Sequence, residues 1–320
     1  MRRALLAMCC VVATLASAVT PRAARADERR VVLSGLRAQH SGVRCPPGGP
    51  VYCFDRDAYA RLTSALGFAL ARVVTTPAAT LGSNGAALEL HTSVAGVDAG
   101  APYFRRAVPA RRSRDAVTAF TAEVRKGLPL GIEAAGTLGR VLLDGAWLWG
   151  ASLRVAPLEG LDRGAFAYLP DVAVGGAVRV VMGLGGATLI LPSVDLTLSK
   201  PFVAGERVVL SPLLSARLHW TLTRASTVDL TPEVDALGQC APAPERPLPT
   251  CGGDAANDVR PPRLSMRRVA LSAGLALRVA HFSLSGAVAF DVAPPDAIDR
   301  SVPPGSKRQW ALDLGAGVLY

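Results

Sequence analysis

The chain has 320 residues, half of them hydrophobic but only 5% aromatic, with a mean hydropathy of +0.30 and a formal net charge of +10. The charge is not a nucleic-acid signature: Arg2, Arg3, Arg22 and Arg25 lie in the first 26 residues with no acid, so the rest carries only +6, and its Lys and Arg are not interleaved with aromatics on one element. Beyond the N-terminal stretch no run of 18 apolar residues exists, which excludes a helical membrane protein and leaves the high hydropathy to be arranged in another way.

Arg2 and Arg3 precede an apolar stretch from Ala4 to Ala13, weakly polar to Val19, and Ala24-Arg25-Ala26 supplies a small-x-small site before Asp27. Residues 1–26 therefore read as a secretory signal peptide. The run is shorter than the ~20 apolar residues of a spanning anchor, and Met8 stands where a lipoprotein site at Cys9 would need a small residue.

Residues 27–85 form a distinct N-terminal segment. Cys45 and Cys53, and further on Cys240 and Cys251, enclose Pro-rich stretches and are expected to pair locally, although four cysteines allow three connectivities. Such bridges suit an exported protein. Neither pair has CxxC spacing or a neighbouring His, so no metal is expected, and no sequence feature calls for a cofactor. Val31–Leu36 has the composition of an additional strand. From Asp55 to about Ala71 the pattern is helical, with Asp55 and Asp57 as start signals and Tyr59, Leu62, Leu66 and Ala69 at helical spacing. This helix is expected either as a periplasmic cap or as a plug inside whatever follows.

From residue 86 the periodicity changes to two. About ten segments alternate: 86–97, 116–125, 130–140, 146–156, 171–182, 187–199, 208–221, 267–279, 282–293 and 309–320. One face is apolar and read as free of charge, for example Leu88, Leu90 and Val94, then Trp147, Trp149, Leu153 and Val155. The other holds Gly, Ala, Ser, Thr and the strand charges. That alternation, at ~9–11 residues per strand, is the apolar-out, polar-in pattern of a membrane barrel. A soluble sandwich also alternates, but its polar face would be heavily charged. Aromatics mark the strand ends as a membrane girdle, with Trp147, Trp220, Phe290 and Trp310 at one level and Phe282 and Tyr320 at the other. Connections longer than about fourteen residues (98–115, 222–266, 294–308) all fall on one side, as long outer loops do. Pro192 and Pro212 interrupt two segments and are expected to mark an edge or bulge, which leaves 8–12 strands possible.

The final segment ends on Tyr320 and resembles the closing strand of bacterial outer-membrane β-barrel proteins. The resemblance implies a bacterial outer-membrane location, recognition of this strand by the barrel assembly machinery, and contact with outer-membrane lipid and lipopolysaccharide. The expected fold is thus an all-β membrane protein, an antiparallel transmembrane β-barrel of about ten strands over 86–320 behind a short helical segment.

The expected lumen-lining residues are Glu89, His91, Glu123, Arg125, Glu133, Arg154, Arg179, Asp195, Arg217, His219, Arg268, Arg278, Asp291 and Asp313. Acids and arginines balance at about six each, which favours ion pairs over a selective pore; Glu133 is expected diagonal to Arg154, and Arg268 diagonal to Asp291, close enough to interact across strands. A barrel of this size is narrow or plugged. Passage of small solutes by a porin-like route is the first functional expectation, and a structural or surface-recognition barrel with a closed lumen is the second. Glu89-x-His91 resembles the acid-x-His pair of omptin-like surface proteases over three residues only, and Ser93 or Ser215 could sit near a His for a lipase. No catalytic residue is assigned. Arg105, Arg106, Arg111, Arg112 and Arg114 make a basic outer loop suited to lipopolysaccharide phosphates.

Overall fold

Period-2 alternation from residue 86 onward resolves into one closed antiparallel sheet. The computed structural model describes residues 30–39, 52–109, 115–160, 169–205, 207–230, 232 and 258–320. The expected signal peptide, Cys45, Cys240, Cys251, Arg111, Arg112 and Arg114 lie outside these residues. Among the described residues, ten strands form the barrel: β1 (Ala86–Gly96), β2 (Ala116–Leu128), β3 (Ile132–Val141), β4 (Trp147–Leu158), β5 (Asp171–Leu184), β6 (Ala187–Ser199), β7 (Val208–Ala225), β8 (Ser265–Val279), β9 (Phe282–Asp291) and β10 (Trp310–Leu319). Each pairs with the next, and β10 pairs back onto β1, with Leu312 opposite Val94 and Val318 opposite Leu88. The seam is finished by the last residue. Tyr320 N–H donates to the Ala86 carbonyl (2.8 Å) and the Ala86 N–H to the Tyr320 carbonyl (3.1 Å). Closure leaves no open edge, so the backbone groups of every strand can be satisfied within the sheet.

Neither proline breaks the barrel. Pro192 stays in register with Val178 on β5, but its missing N–H interrupts the β6–β7 ladder between His219–Ser193 and Leu222–Ile190. Pro212 lies below the first β6–β7 pair, Leu213–Ser199, and its carbonyl accepts from the Lys200 N–H at 3.3 Å. Leu130 is not in a strand as the periodicity implied. It sits with Gly131 in the β2–β3 turn at φ 65°, and is 90% exposed.

Outward side chains form a belt, with Leu88, Leu90, Val124, Leu138, Trp149, Leu153, Leu214, Leu271, Leu284 and Leu314 all exposed. The expected absence of charge on this face does not hold at its ends. Arg140, Arg224 and Arg267 point outward at the ends of β3, β7 and β8 that carry the long loops, and the Arg140 guanidinium lies 4.8 Å from the Trp147 ring centroid. Phe290 pairs with Trp310 at that same end, while Phe282 and Tyr320 lie at the opposite one.

The N-terminal segment runs through the barrel rather than capping it. Val31–Leu36 is no strand; Leu33–Leu36 forms a 3-10 turn, followed by a small ribbon of Arg37–Gln39 with Tyr52–Phe54. Both lie at the long-loop end, where the Val32 N–H donates to the Ala107 carbonyl (2.7 Å) of the short helix α2 (Pro102–Ala107). Helix α1 (Arg56–Leu70) starts there, its first turn capped by the Asp55 carboxylate accepting from the Ala58 N–H at 2.9 Å. From Leu62 to Leu70 every residue is buried, on all sides of the helix. A cap would keep one polar face in water. The chain then descends to the short-turn end, where the Ala78 N–H meets Ser199 Oγ (2.8 Å), the Thr80 N–H meets Glu159 (2.7 Å) and the Leu81 N–H meets Glu133 (3.3 Å).

Candidate functional site in the barrel lumen

Two-residue periodicity sends every second side chain of each strand inward, and the lumen divides into two zones. Its long-loop half is lined by Val117, Leu148, Val181, Leu189, Leu191 and Met266, all buried against α1. These inward apolar residues were not anticipated. Their signal is a local loss of alternation at one strand end: Trp147-Leu148-Trp149, Val180-Val181-Met182 and Leu189-Ile190-Leu191 are apolar on both faces. The barrel thus carries an apolar socket matched to Leu62, Leu66, Phe68 and Leu70. At Gly67 the fit is closest, since a Cβ there would overlap the inward Thr221 side chain.

Deeper in the lumen lie the charges. Arg125 is the centre of an acidic wall: it donates to Glu89 (2.9 Å) and Glu133 (3.1 Å), with Glu123 4.0 Å from its Nε. The plug adds a second cation, Arg72, which donates to Glu123 Oε1 at 2.8 Å and to Ser152 Oγ at 3.1 Å. His91 Nδ1 sits 2.9 Å from Asp313 Oδ1, and its Nε2 faces Glu89 Oε2 at 3.5 Å. Room for these side chains comes from glycine on the neighbouring strand, because a Cβ on Gly315 would approach the His91 ring to 2.7 Å. Ser93 donates to Asp313, not to His91, and Ser215 accepts from Thr197 at 3.4 Å. Neither serine is paired with an imidazole as a nucleophile needs.

The expected cross-strand pairs behave differently from each other. Arg268 does engage Asp291, through Nε (3.2 Å) and Nη2, and also donates to the Ser64 carbonyl of α1 (2.9 Å) while stacking 4.7 Å over Phe68. Arg154 stands opposite Glu133, yet donates to Thr76 and to the Pro77 carbonyl (2.7 Å) of the plug. Arg179 reaches the carbonyl of Leu70, the last residue of α1, at 3.5 Å. Asp195 accepts from Thr197 at 3.3 Å. Arg217 and His219 are buried on β7 without a hydrogen-bond partner among the described residues. Arg278 does not line the lumen; it is exposed at the short-turn end, donating to the Ala280 carbonyl at 3.3 Å. Acids and cations balance overall but are unevenly spread. Glu89, Glu123, Glu133 and Asp313 gather around Arg125 and His91 on β1–β3 and β10, whereas Arg154, Arg179, Arg217 and His219 on β4, β5 and β7 have Asp195 on β6 among them.

At the long-loop mouth a cleft of about 450 Å³ lies beside α1, lined by Arg61, Asp98, Tyr103, Lys307, Gln309 and Trp310. An exposed Lys307–Asp98 bridge of 2.8 Å borders it. Among the described residues no cluster of His, Cys, Asp and Glu is arranged to hold a metal ion.

A closed antiparallel sheet of ten strands, apolar outside and charged within, is the build of a transmembrane barrel of the bacterial outer-membrane class. No protein-family model and no curated protein matches the chain. Among solved structures it is similar to the N-terminal β-barrel domain of Pseudomonas aeruginosa OprF, at 13% identity and a TM-score of 0.29 over 75% of this chain and 99% of that one. It is also similar to the Yersinia pestis attachment invasion locus protein Ail (11% identity, TM-score 0.26, 74% and 99%). A third is the outer membrane protease OmpT from Escherichia coli (8% identity, TM-score 0.29, 78% and 98%).

Proposed function

We propose that this protein is a sealed barrel of the bacterial outer membrane that presents a recognition surface at its long-loop end, rather than a conduit for solutes. The observation that carries this reading is the complete enclosure of α1 from Leu62 to Leu70 in an apolar socket built from the barrel's own strands. An aqueous channel has no use for inward Leu148, Leu189 and Leu191. Burying four large apolar side chains of α1 is worth on the order of 10 kcal/mol, enough to keep the lumen occupied.

On this reading residues 1–26 direct export, the local cysteine pairs close in the periplasm, and the β10 strand ending at Tyr320 is read by the assembly machinery. Lipopolysaccharide is the proposed lipid partner, through the outward arginines at the long-loop ends. Arg224 and Arg263 are both exposed and flank the Thr223–Leu264 backbone bond of 3.0 Å, two cations that phosphate would engage. Of the basic loop, Arg106 turns inward to Asp55 at 2.7 Å. The cleft beside α1 is the proposed recognition site, at a volume ordinary for small-ligand sites.

Planar-bilayer recording tests the proposal. The folded protein should insert with heat-modifiable mobility and stay electrically silent. Steady discrete openings of the unaltered protein at low voltage would restore the solute-passage reading.

A further inference from the structure

On β7 two cationic or potentially cationic side chains stand two residues apart on the inward face. Arg217 is 5% exposed and His219 is not exposed at all, and none of the five side-chain nitrogens of the pair has a hydrogen-bond partner among the described residues. A buried guanidinium without an acceptor is costly, because its desolvation is not offset by any fixed oxygen. The residues around it do not supply one. Asp195 is directly opposite Arg217 in the β6–β7 register, but no ion pair forms, and its carboxylate accepts from Thr197. Asp291, beyond Ala270 in the same row, is taken by Arg268 and the Gln309 N–H. Arg268, opposite His219 on the adjacent β8, and Arg179, beyond β6 on β5, add positive charge without adding acceptors, and each already uses carbonyls of α1.

We propose that the lumen holds a small inorganic anion between Arg217 and His219, beneath the C-terminal end of α1. The pair offers donors on one face at i and i+2, which a strand points the same way. What it lacks is an acceptor carrying negative charge. Water would satisfy the imidazole but bring no charged acceptor to the guanidinium, whose nearest carboxylates are engaged by Thr197 and Arg268, whereas a halide or similarly small anion answers both. The site lies away from the Glu89–Glu123–Glu133 wall, with Arg268 directly opposite His219. Its role is to give the Arg217 guanidinium and the His219 ring N–H an acceptor under the plug. This inference concerns the filled lumen and does not depend on what the outer cleft recognises.

The test uses the full-length folded protein in detergent, with thermal unfolding followed by circular dichroism in sodium chloride, sodium bromide and sodium gluconate at equal ionic strength. Binding to the folded state alone raises the midpoint with the logarithm of anion concentration. Chloride and bromide should therefore raise the midpoint by several degrees over gluconate, and Arg217→Met should abolish that difference. Crystals grown in bromide should show an anomalous peak within bonding distance of Arg217. If chloride, bromide and gluconate give the same midpoint in the unaltered protein and no peak is found, the site does not exist. An anion effect of equal size in Arg217→Met places any bound ion elsewhere and overturns the assignment. Should Arg217→Met not fold, His219→Leu and the bromide peak decide the question. Bilayer silence is a separate measurement, so either proposal can fail alone.

Discussion

Arg72 and Glu123 show how the plug is tied to the wall. Both are buried and 2.8 Å apart, so removing one partner strands the other in the lumen. Arg72→Met should cost about 3–5 kcal/mol in urea unfolding of the detergent-folded protein. Adding Glu123→Gln should return much of the loss, and strict additivity would show that the pair is not coupled. At the long-loop end Asp299 behaves differently. Burial pushes its carboxyl up, but bonds from the Ser301 N–H and hydroxyl and from the Arg267 N–H outweigh this and hold it below its ordinary value. A depressed carboxyl stabilises the fold above its unfolded value, and that contribution is lost as pH falls through the lowered one. Loop 292–309 should thus lose amide protection, referred to the intrinsic exchange rate at each pH, on acidification below the usual carboxylate range, and Asp299→Asn should show the lower protection already at neutral pH.

Helix α1 and the strand ends around it belong to each other. Its residues read as an ordinary helix with a start signal at Asp55, and local propensity is satisfied whether it caps or plugs. What decides is the socket. Gly67 lets the helix approach β7, and Gly67→Leu should push it off Thr221, giving discrete bilayer openings absent from the unaltered protein. Continued silence with unchanged thermal stability would mean that the contact does not seat the plug. The outward strand ends carry the other elemental feature. Arg224→Glu with Arg263→Glu should reduce the lipopolysaccharide phosphate that copurifies with the barrel, at unchanged heat-modifiable mobility; equal phosphate content would remove these two residues from lipid contact.

The closed sheet also places the N-terminal segment. The chain enters α1 beside α2 and, beyond α1, reaches Glu133 near the β2–β3 turn at Leu81, so with the long loops outside, residues 30–39 and 52–55 are expected at the cell surface. An epitope tag ahead of residue 30 should be stained on intact cells, and staining only after permeabilisation would invert this topology. Much of the architecture was already legible. Because side chains in a strand alternate strictly, the ten segments, their outward faces, the short and long turns and the closing strand up to Tyr320 could be read from residue order alone. The α1 boundaries were nearly as clear, since Asp55 and the helical spacing are local signals. Long-range partners were not. Arg154 was expected diagonal to Glu133 and stands directly opposite it, yet bonds to Thr76 and Pro77; Arg278 had the inward parity but lies past the end of the lumen; Arg217 and His219 looked like any other inward pair. Sequence periodicity determined which way each side chain points, because that depends only on backbone geometry. Tertiary structure alone decided what each one meets, because a segment from residues 56–85 crosses the lumen and takes partners that no neighbouring strand could supply.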